Sequence, residues 1–316
     1  MDKVLDRKYV IIFFMILLAV MLVAYIFNII SIPQAKPRLS PAPSTEKAYF
    51  TIRDTAGNVI LETGFPVSEK DEYISEKNIH YIITSVKGTN ATARVKSNSV
   101  NNVKPNLKKA VLPLNSKGIP VQAPSINSHV VIYHTHSDES YGYSTGITSK
   151  PGNGDIYAVG TSLANSLQRS GISVTHSFNR HDPHDINAYH RSRRTALQLL
   201  KERPDAAFDV HRDSAPTSAY FTTVNGVNTS RVMIVIGRSN PNLKTNLDYA
   251  RRVKAMGDTL YPGMMRGIFI GKGDYNQDLY PTALIFEIGT DGMSLDLAQN
   301  AATCLGDVIA HVMIQS

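Results

Sequence analysis

The chain has 316 residues, of which 42% are hydrophobic and 19% charged, and this balance excludes a disordered, low-complexity or collagen-like protein. The single cysteine, Cys304, excludes an intrachain disulfide and a multi-cysteine zinc module, so any metal would need histidine and carboxylate ligands. The net charge of +7 suits an anionic neighbour such as a membrane surface, a cell-wall polymer or a nucleic acid, without choosing among them.

An uncharged apolar segment, residues 9–32, predicts a transmembrane helix. As a helix it would extend ~36 Å, enough to cross a hydrocarbon core of ~30 Å. The alternative is a cleavable signal peptide, but its apolar region usually has only ~7–15 residues and a small-residue cleavage site, which this sequence lacks. Arg7 and Lys8 abut the segment, although basic residues also follow it. We therefore expect a single-pass anchor in the cell membrane, with residues 1–8 as a cytoplasmic tail and the rest on the extracytoplasmic side.

Two linkers are predicted around a small β module. Residues 33–47 carry four prolines and form the first linker, and residues 96–128, rich in Asn, Lys, Pro and Ser, form the second. Between them, residues 48–95 contain short strand-forming runs separated by Gly, Asn and Asp turns. This module has no cluster of His, Asp and Glu, so the chemistry is expected elsewhere.

From residue 129 to residue 316, predicted strands alternate with predicted helices. The strands are expected at residues 130–133, 172–175, 206–210, 231–236 and 283–286, and the helices at residues 156–170, 188–201, 246–260 and 298–312. This alternation indicates an α/β domain with a mostly parallel open sheet and helices on both faces. Cys304 falls on the apolar stripe of the last helix and is interpreted as a core residue.

Three of the predicted strands end in ionisable side chains, and such groups gather outside the carboxyl ends of strands in open sheets. The first end carries His136 and Glu139, the second carries His211, and the last carries Glu287. Two histidines and one glutamate are a known ligand set for catalytic zinc, with a fourth position left for water. We therefore predict Zn²⁺ bound by His136, Glu139 and His211, with Glu287 as the group that moves a proton.

Other assignments of these residues stay open. Asp138 and Asp213 are alternative carboxylate ligands, and Glu287 could instead cap or pair within the fold. His134, Arg212 and Asp213 are candidates for supporting the metal ligands or for binding substrate.

Two further polar clusters are interpreted as ordinary surface structure rather than as binding sites. The His181 and His184 pair has metal-ligand spacing, but Pro183 and Asp185 favour a plain polar loop. The arginines at positions 191, 193 and 194 are interpreted as a solvated helix face, because no interleaved aromatic residues suggest nucleic-acid binding.

Several motifs in order resemble the stage II sporulation protein P family of endospore-forming bacteria. They are HTHSDESY at residues 134–141, YHRSR at 189–193, DVHRDS at 209–214, GRSNPN at 237–242, YNQDL at 275–279 and FEIGT at 286–290. The predicted β module resembles the family more loosely, through GNVIL at 57–61, ETG at 62–64 and DEYI at 71–74.

The resemblance implies a membrane-anchored hydrolase of peptidoglycan that acts at the sporulation septum during engulfment. It implies cleavage of the amide between N-acetylmuramic acid and the stem peptide, with zinc-site and catalytic positions at His136, His211 and Glu287. Glu139 departs from the related amidases, whose ligand glutamate usually lies well downstream of the first histidine. The resemblance also implies stage II sporulation proteins D and M as partners. A zinc endopeptidase that cuts stem peptides, and a wall-binding scaffold without turnover, are the alternatives.

Overall fold

The computed structural model describes residues 49–97, 128–143 and 145–314, all of which belong to one unit, Ser44–Ser316. The predicted cytoplasmic tail, the anchor at residues 9–32, the linker at 33–47 and most of the linker at 96–128 lie outside the described residues. The order of elements within the described part is as follows. The strands are β1 (Phe50–Arg53), β2 (Val59–Thr63), β3 (Glu72–Ser75), β4 (His80–Lys87), β5 (Asn90–Ser97), β6 (His129–Tyr133), β7 (Ser173–His176), β8 (Ala206–Asp213), β9 (Phe221–Val224), β10 (Val227–Ser230), β11 (Val232–Gly237), β12 (Met265–Gly271) and β13 (Ala283–Thr290). The helices are α1 (Ile156–Arg169), α2 (Ala188–Leu199), α3 (Thr217–Tyr220), α4 (Leu243–Leu260) and α5 (Leu295–Ile314), with 3₁₀ turns at Leu200–Glu202 and Gln277–Leu279.

One mixed sheet of 11 strands runs through the described residues, in the order β2-β1-β5-β4-β3-β12-β11-β13-β8-β6-β7. Strands β9 and β10 form a separate hairpin. The prediction of a mostly parallel sheet is wrong, because five neighbouring pairs are antiparallel and five are parallel. Three of the five parallel pairs lie side by side at the β7 end of the sheet, where β7, β6, β8 and β13 all run in the same direction.

The lengths of the connections explain this mixture. A parallel neighbour needs a crossover of a dozen or more residues, usually a helix, whereas shorter connections return the chain antiparallel. Helix α4 joins the parallel neighbours β11 and β12. Residues 272–282, between β12 and β13, contain only a 3₁₀ turn, and β13 runs antiparallel to β11.

The strands of the predicted β module do not form a sheet of their own. Strand β3 pairs antiparallel with β12, so the first five strands continue the sheet of the α/β region. One apolar cluster contains Ile52 and Tyr73 from this region together with Val235 and Phe269 from β11 and β12. Residues 49–97 and the α/β region therefore share a core, and burial of that shared apolar surface stabilises both.

Alternation along the central strands divides the sheet into two faces. On β8 and β13, Phe208, Val210 and Phe286 point into the core that contains α1, α4 and α5. The residues next to them on the same strands, Asp209, His211 and Glu287, therefore point to the opposite face. Helix α2 packs on that second face, against β6 and β8. The ionisable residues thus lie on the second face, beside α2.

The last helix, α5, is part of the main core. Its apolar side packs against α1. Cys304 is half-buried against the same cluster, in agreement with its interpretation as a core residue. Within the described residues, α5 is the helix long and apolar enough to cross a membrane, but half of its apolar window is buried in the protein. Burial against the sheet accounts for its apolar composition.

Candidate active site

Three adjacent parallel strands, β6, β8 and β13, bring the predicted site residues to one edge of the sheet. His211 on β8 lies directly beside Glu287 on β13 in the strand register. The turn after β6 carries His136 and Glu139, and the backbone amide of Glu139 donates to the carbonyl of His136 at 3.2 Å. The carboxyl ends of neighbouring parallel strands therefore meet where the sequence places its ionisable groups.

These four side chains line an open cavity of about 930 Å³. One wall consists of the loop before α2 and the first turns of α2, including His184 and Tyr189. Other lining residues come from the β2–β3 loop and from the segment after β12, including Phe65 and Tyr275. A pocket of this size, with a few converging polar groups, is the usual form of a small-ligand or active site.

Glu139 and His211 form the centre of the site. Glu139 Oε2 lies 3.6 Å from His211 Nδ1 and accepts a hydrogen bond from the Arg212 backbone amide at 3.0 Å. Burial opposes ionisation of Glu139, but His211 and Arg212 outweigh it and lower the pKa of the carboxyl to about 2. For His211, burial is outweighed by Asp209 and Glu139, which raise its pKa well above the ordinary value. A charged pair is thus held in a site where both side chains are almost fully buried.

Asp209 contacts the ring nitrogen of His211 that points away from Glu139, and the sequence analysis did not assign this role to Asp209. Its Oδ1 atom lies 2.9 Å from His211 Nε2, a close ion-pair contact without the alignment of a hydrogen bond. Asp209 is itself fixed by Thr135, whose backbone amide and hydroxyl donate to its two oxygens at 2.8 and 2.5 Å. Histidine ligands of metals commonly have such a carboxylate on their second nitrogen. The signal in the sequence is the spacing of Asp209 and His211, which places both on one face of a strand.

His136 contributes a buried ring nitrogen, Nδ1, that has no hydrogen-bond partner. Its ring is 5.1 Å from that of His211 between centroids, at 82° between planes. Burial is the main reason that its pKa is lowered to about 4, so the neutral ring that can bind a metal is favoured.

Glu287 is a buried carboxyl with an unsatisfied atom. Only 3% of the residue is exposed, and its Oε2 atom has no hydrogen-bond partner. Burial, reinforced by the neighbouring carboxylates of Asp213 and Glu139, raises its pKa well above the ordinary value although His211 opposes the shift. A buried carboxyl without a partner is costly unless it has a function in the cavity that it lines.

The donor set suits zinc. Among the described residues, no group of three or more His, Cys, Asp or Glu side chains is already arranged as a complete metal site. The separation of 3.6 Å between Glu139 Oε2 and His211 Nδ1 is nevertheless close to the ~3.4 Å expected for two ligands of one tetrahedral zinc. His136 lines the same cavity and adds a third donor atom, a ring nitrogen without a hydrogen-bond partner. The residues therefore fit a catalytic zinc site with two histidines and one glutamate.

His184 lies next to His136, whereas His181 does not. The His184 ring stacks on that of His136, with 3.8 Å between centroids and 4° between planes. Its Nδ1 atom lies 3.0 Å from Asp138 Oδ1, and the hydroxyl of Ser149 donates a hydrogen bond to Asp138 Oδ2. Both oxygens of Asp138 therefore have partners. The lone pairs of two parallel rings do not converge on one ion, so this geometry disfavours His184 as a fellow ligand of His136.

The polar interpretation of the loop at residues 181–187 agrees with its contacts. His181 is buried, and its two ring nitrogens contact the carbonyl of His134 at 2.7 Å and the hydroxyl of Thr195 at 2.8 Å. It has no nitrogen left for a metal.

The three supporting candidates have different environments. His134 lies outside the cavity lining, and its ring nitrogens contact the Val210 carbonyl and His176 Nε2, both at 2.8 Å. Arg212 lines the cavity, while its guanidinium donates to backbone carbonyls such as that of Thr148. Asp213 accepts four hydrogen bonds, described below. Of the three carboxylates considered as ligands, Glu139, Asp138 and Asp213, Glu139 is the one in contact with His211, through Nδ1.

Comparison with known proteins gives a family match. The model of the family described as stage II sporulation protein P matches residues 45–310. The stage II sporulation protein P of Bacillus subtilis (strain 168) is 27% identical over 215 residues, which cover 62% of this chain and 54% of the relative. The matched region thus spans about half the length of that relative.

Solved structures show a more distant likeness. An N-acetylmuramyl-L-alanine amidase from Mycobacterium smegmatis has 13% identity and a TM-score of 0.38, covering 61% of this chain and 100% of its own. The CwlD amidase from Clostridioides difficile, solved in complex with the GerS lipoprotein, has 10% identity and a TM-score of 0.39, covering 60% of this chain and 100% of its own. Both likenesses are remote in sequence and partial in fold.

Proposed function

The chain belongs to the stage II sporulation protein P family, and from that premise we propose that it is a zinc-dependent peptidoglycan hydrolase. It cleaves the amide between N-acetylmuramic acid and the stem peptide, during wall remodelling and engulfment in sporulation. The observation that carries the proposal is the meeting of His136, Glu139, His211 and Glu287 in one cavity, with buried polar atoms that lack a partner on His136 and Glu287.

In this proposal His136, Glu139 and His211 hold the metal. When bound there, zinc acts as a Lewis acid towards the scissile carbonyl and the attacking water, and its charge favours the ionised form of Glu287. Asp209 keeps the His211 ring in its orientation through Nε2. Because Thr135 in turn holds Asp209, the ligand is preorganised by two buried polar contacts.

Glu287 is the proposed proton carrier. Glu287 lines the cavity and has a buried oxygen without a partner, and its position beside His211 in the strand register keeps it close to the proposed ligands. It accepts a proton from the attacking water and delivers it to the leaving nitrogen, which would otherwise depart as a poor leaving group.

The test combines zinc content with hydrolysis. The purified full-length chain should contain about one zinc per molecule by elemental analysis, and chelator should abolish release of fragments from peptidoglycan. His211→Ala should lose both zinc and hydrolysis. The control His311→Ala changes a histidine on α5 that does not line the cavity, and it should keep both. A parent chain without zinc whose activity survives chelator would refute the proposal.

We further propose that residues 9–32 anchor the protein in the cell membrane, with residues 49–314 outside, and that stage II sporulation proteins D and M act with it. The length of the apolar segment and the family membership support this. The protein should resist alkaline extraction from membranes, and protease added to intact protoplasts should remove the region after the anchor. Protection of that region would refute the orientation.

A further inference from the structure

The loop between β2 and β3 belongs to the candidate active site. Gly64, Phe65 and Pro66 line the same cavity as His136 and Glu287. The sequence assigned no chemistry to the region before residue 96, yet hydrogen bonds from Thr63 and Gly64 to Asp213 place this loop at the end of β8. The cavity is therefore built from both parts of the described chain.

Asp213, which lies two residues after His211 on β8, fixes the position of the β2–β3 loop. Its carboxylate accepts the backbone amide of Gly64 at 2.7 Å and the hydroxyl of Thr63 at 2.8 Å. It also accepts the Tyr220 hydroxyl at 2.8 Å and the Ser214 backbone amide at 2.7 Å. Because all these contacts are wholly or partly buried, the loop has a fixed position relative to the end of β8.

Close packing reinforces this attachment. A Cβ atom at Gly64 would lie 2.7 Å from Ser214 Cβ and 2.8 Å from the Ser214 carbonyl oxygen, so only glycine lets the two backbones approach this closely. The guanidinium of buried Arg266 lies over the Tyr220 ring, 4.1 Å from its centroid, and 3.7 Å from Asp213.

Phe65 is held edge-on between two other aromatic rings. Its centroid lies 5.8 Å from that of Phe269 at 63° and 5.3 Å from that of Tyr275 at 84°. Tyr275 also lines the cavity. Phe65 is half-buried, so part of a positioned aromatic ring remains available to a ligand.

We propose that the β2–β3 loop is a specificity-determining wall of the active site. Phe65 and Pro66 contact apolar C–H surface of the substrate beside the proposed metal ligands, and Tyr275 joins Phe65 to Tyr189 along this wall. This inference rests on the proposed function, and the C–H surface is presented either by a sugar ring or by a stem-peptide side chain. The first five strands then serve catalysis by positioning substrate, although they carry no reacting group.

The experiment measures Phe65→Ala in the full-length chain on soluble peptidoglycan fragments. Loss of one aromatic contact should raise KM about five- to tenfold and leave kcat within about twofold, while Phe65→Tyr restores the parent KM. The control Phe221→Ala removes an exposed ring outside the cavity lining and should leave KM unchanged. Should Phe65→Ala lower the melting temperature, Pro66→Ala changes an exposed residue of the same loop and should raise KM about two- to threefold.

Two arms identify the source of the contact. Glu287→Gln provides a slowly reacting background in which binding of a glycan fragment without peptide and of a stem peptide without sugar is measured with and without Phe65→Ala. The arm that weakens identifies the group that Phe65 contacts. Parent KM in folded Phe65→Ala and Pro66→Ala, with the parent enzyme active, would overturn this inference alone. A parent chain that neither binds nor cleaves peptidoglycan would overturn the proposed function and this inference with it.

Discussion

Replacing Glu287 by glutamine should separate proton transfer from metal binding and folding. The two side chains have nearly the same shape, and Glu287 is buried in a site where shape decides packing. A glutamine amide cannot accept a proton from water, and a positioned general base typically contributes ~10²–10⁴-fold in rate. Glu287→Gln should therefore lower kcat by about that factor, equivalent to about 3–5 kcal/mol of transition-state stabilisation.

Stability should change little in the same variant. Before zinc binds, burial and the neighbouring carboxylates of Asp213 and Glu139 favour the uncharged form of Glu287, and glutamine has the same charge and nearly the same shape as that form. Because Glu287 Oε2 has no partner to lose, the free energy of unfolding should stay within about 1 kcal/mol of the parent value. A residue that only caps or pairs within the fold would behave in the opposite way, losing stability but not turnover.

The assay measures three quantities on one preparation: zinc by elemental analysis, melting temperature, and the rate of fragment release from peptidoglycan. Glu69→Gln changes an exposed carboxylate outside the cavity lining and serves as the matched control. Turnover at the parent rate in folded, zinc-loaded Glu287→Gln would refute the assignment and make Asp213 the next candidate.

Three further predictions concern the support of His211, the effect of zinc on stability and the packing of α5 against α1. Asp209→Asn should weaken zinc binding about 10–100-fold, as chelator competition would measure, because His211 loses its supporting carboxylate; unchanged affinity would exclude that role. Removing zinc should lower the free energy of unfolding by about 2.7 kcal/mol when the parent is assayed at a metal concentration of 100 Kd, and identical denaturation curves with and without chelator would contradict a zinc site. Gly306→Ala should destabilise the fold by about 1–3 kcal/mol in denaturant titration, because a Cβ atom on α5 would lie 2.5 Å from Ser166 Cβ on α1, whereas parent stability would show that the two helices can separate at little cost.

Local pattern was sufficient for the elements that carry the site. The apolar runs at β6, β8 and β13 are each followed by ionisable residues, so the strands and the candidate side chains could be predicted together. The predicted ends were wrong for two strands, because β8 continues to Asp213 and β13 to Thr290. Helices α1 and α4 follow from their apolar periodicity, which depends only on nearby residues.

What the sequence analysis missed depends on contacts between distant segments. Strand β12 contains Gly267, whose φ of 137° and approach to the Ile74 carbonyl suit the pairing with β3 rather than any local strand pattern. The antiparallel course of β13 depends on the connection at residues 272–282, where no local pattern gives a direction. Asp209 is fixed by Thr135 from the turn after β6, and Phe65 reaches the cavity because the neighbouring Gly64 is bonded to Asp213 on β8.

The central claim is that this site cleaves the amide between N-acetylmuramic acid and the stem peptide. Mass spectrometry of the fragments released from purified peptidoglycan by the full-length, zinc-loaded protein tests it most directly. The claim predicts free stem peptides with a new amino terminus at their first residue and glycan strands that have lost their peptides. Fragments in which peptides remain attached to muramic acid and only cross-links are cut would contradict it in favour of an endopeptidase, and the absence of any fragment would contradict enzymatic activity altogether.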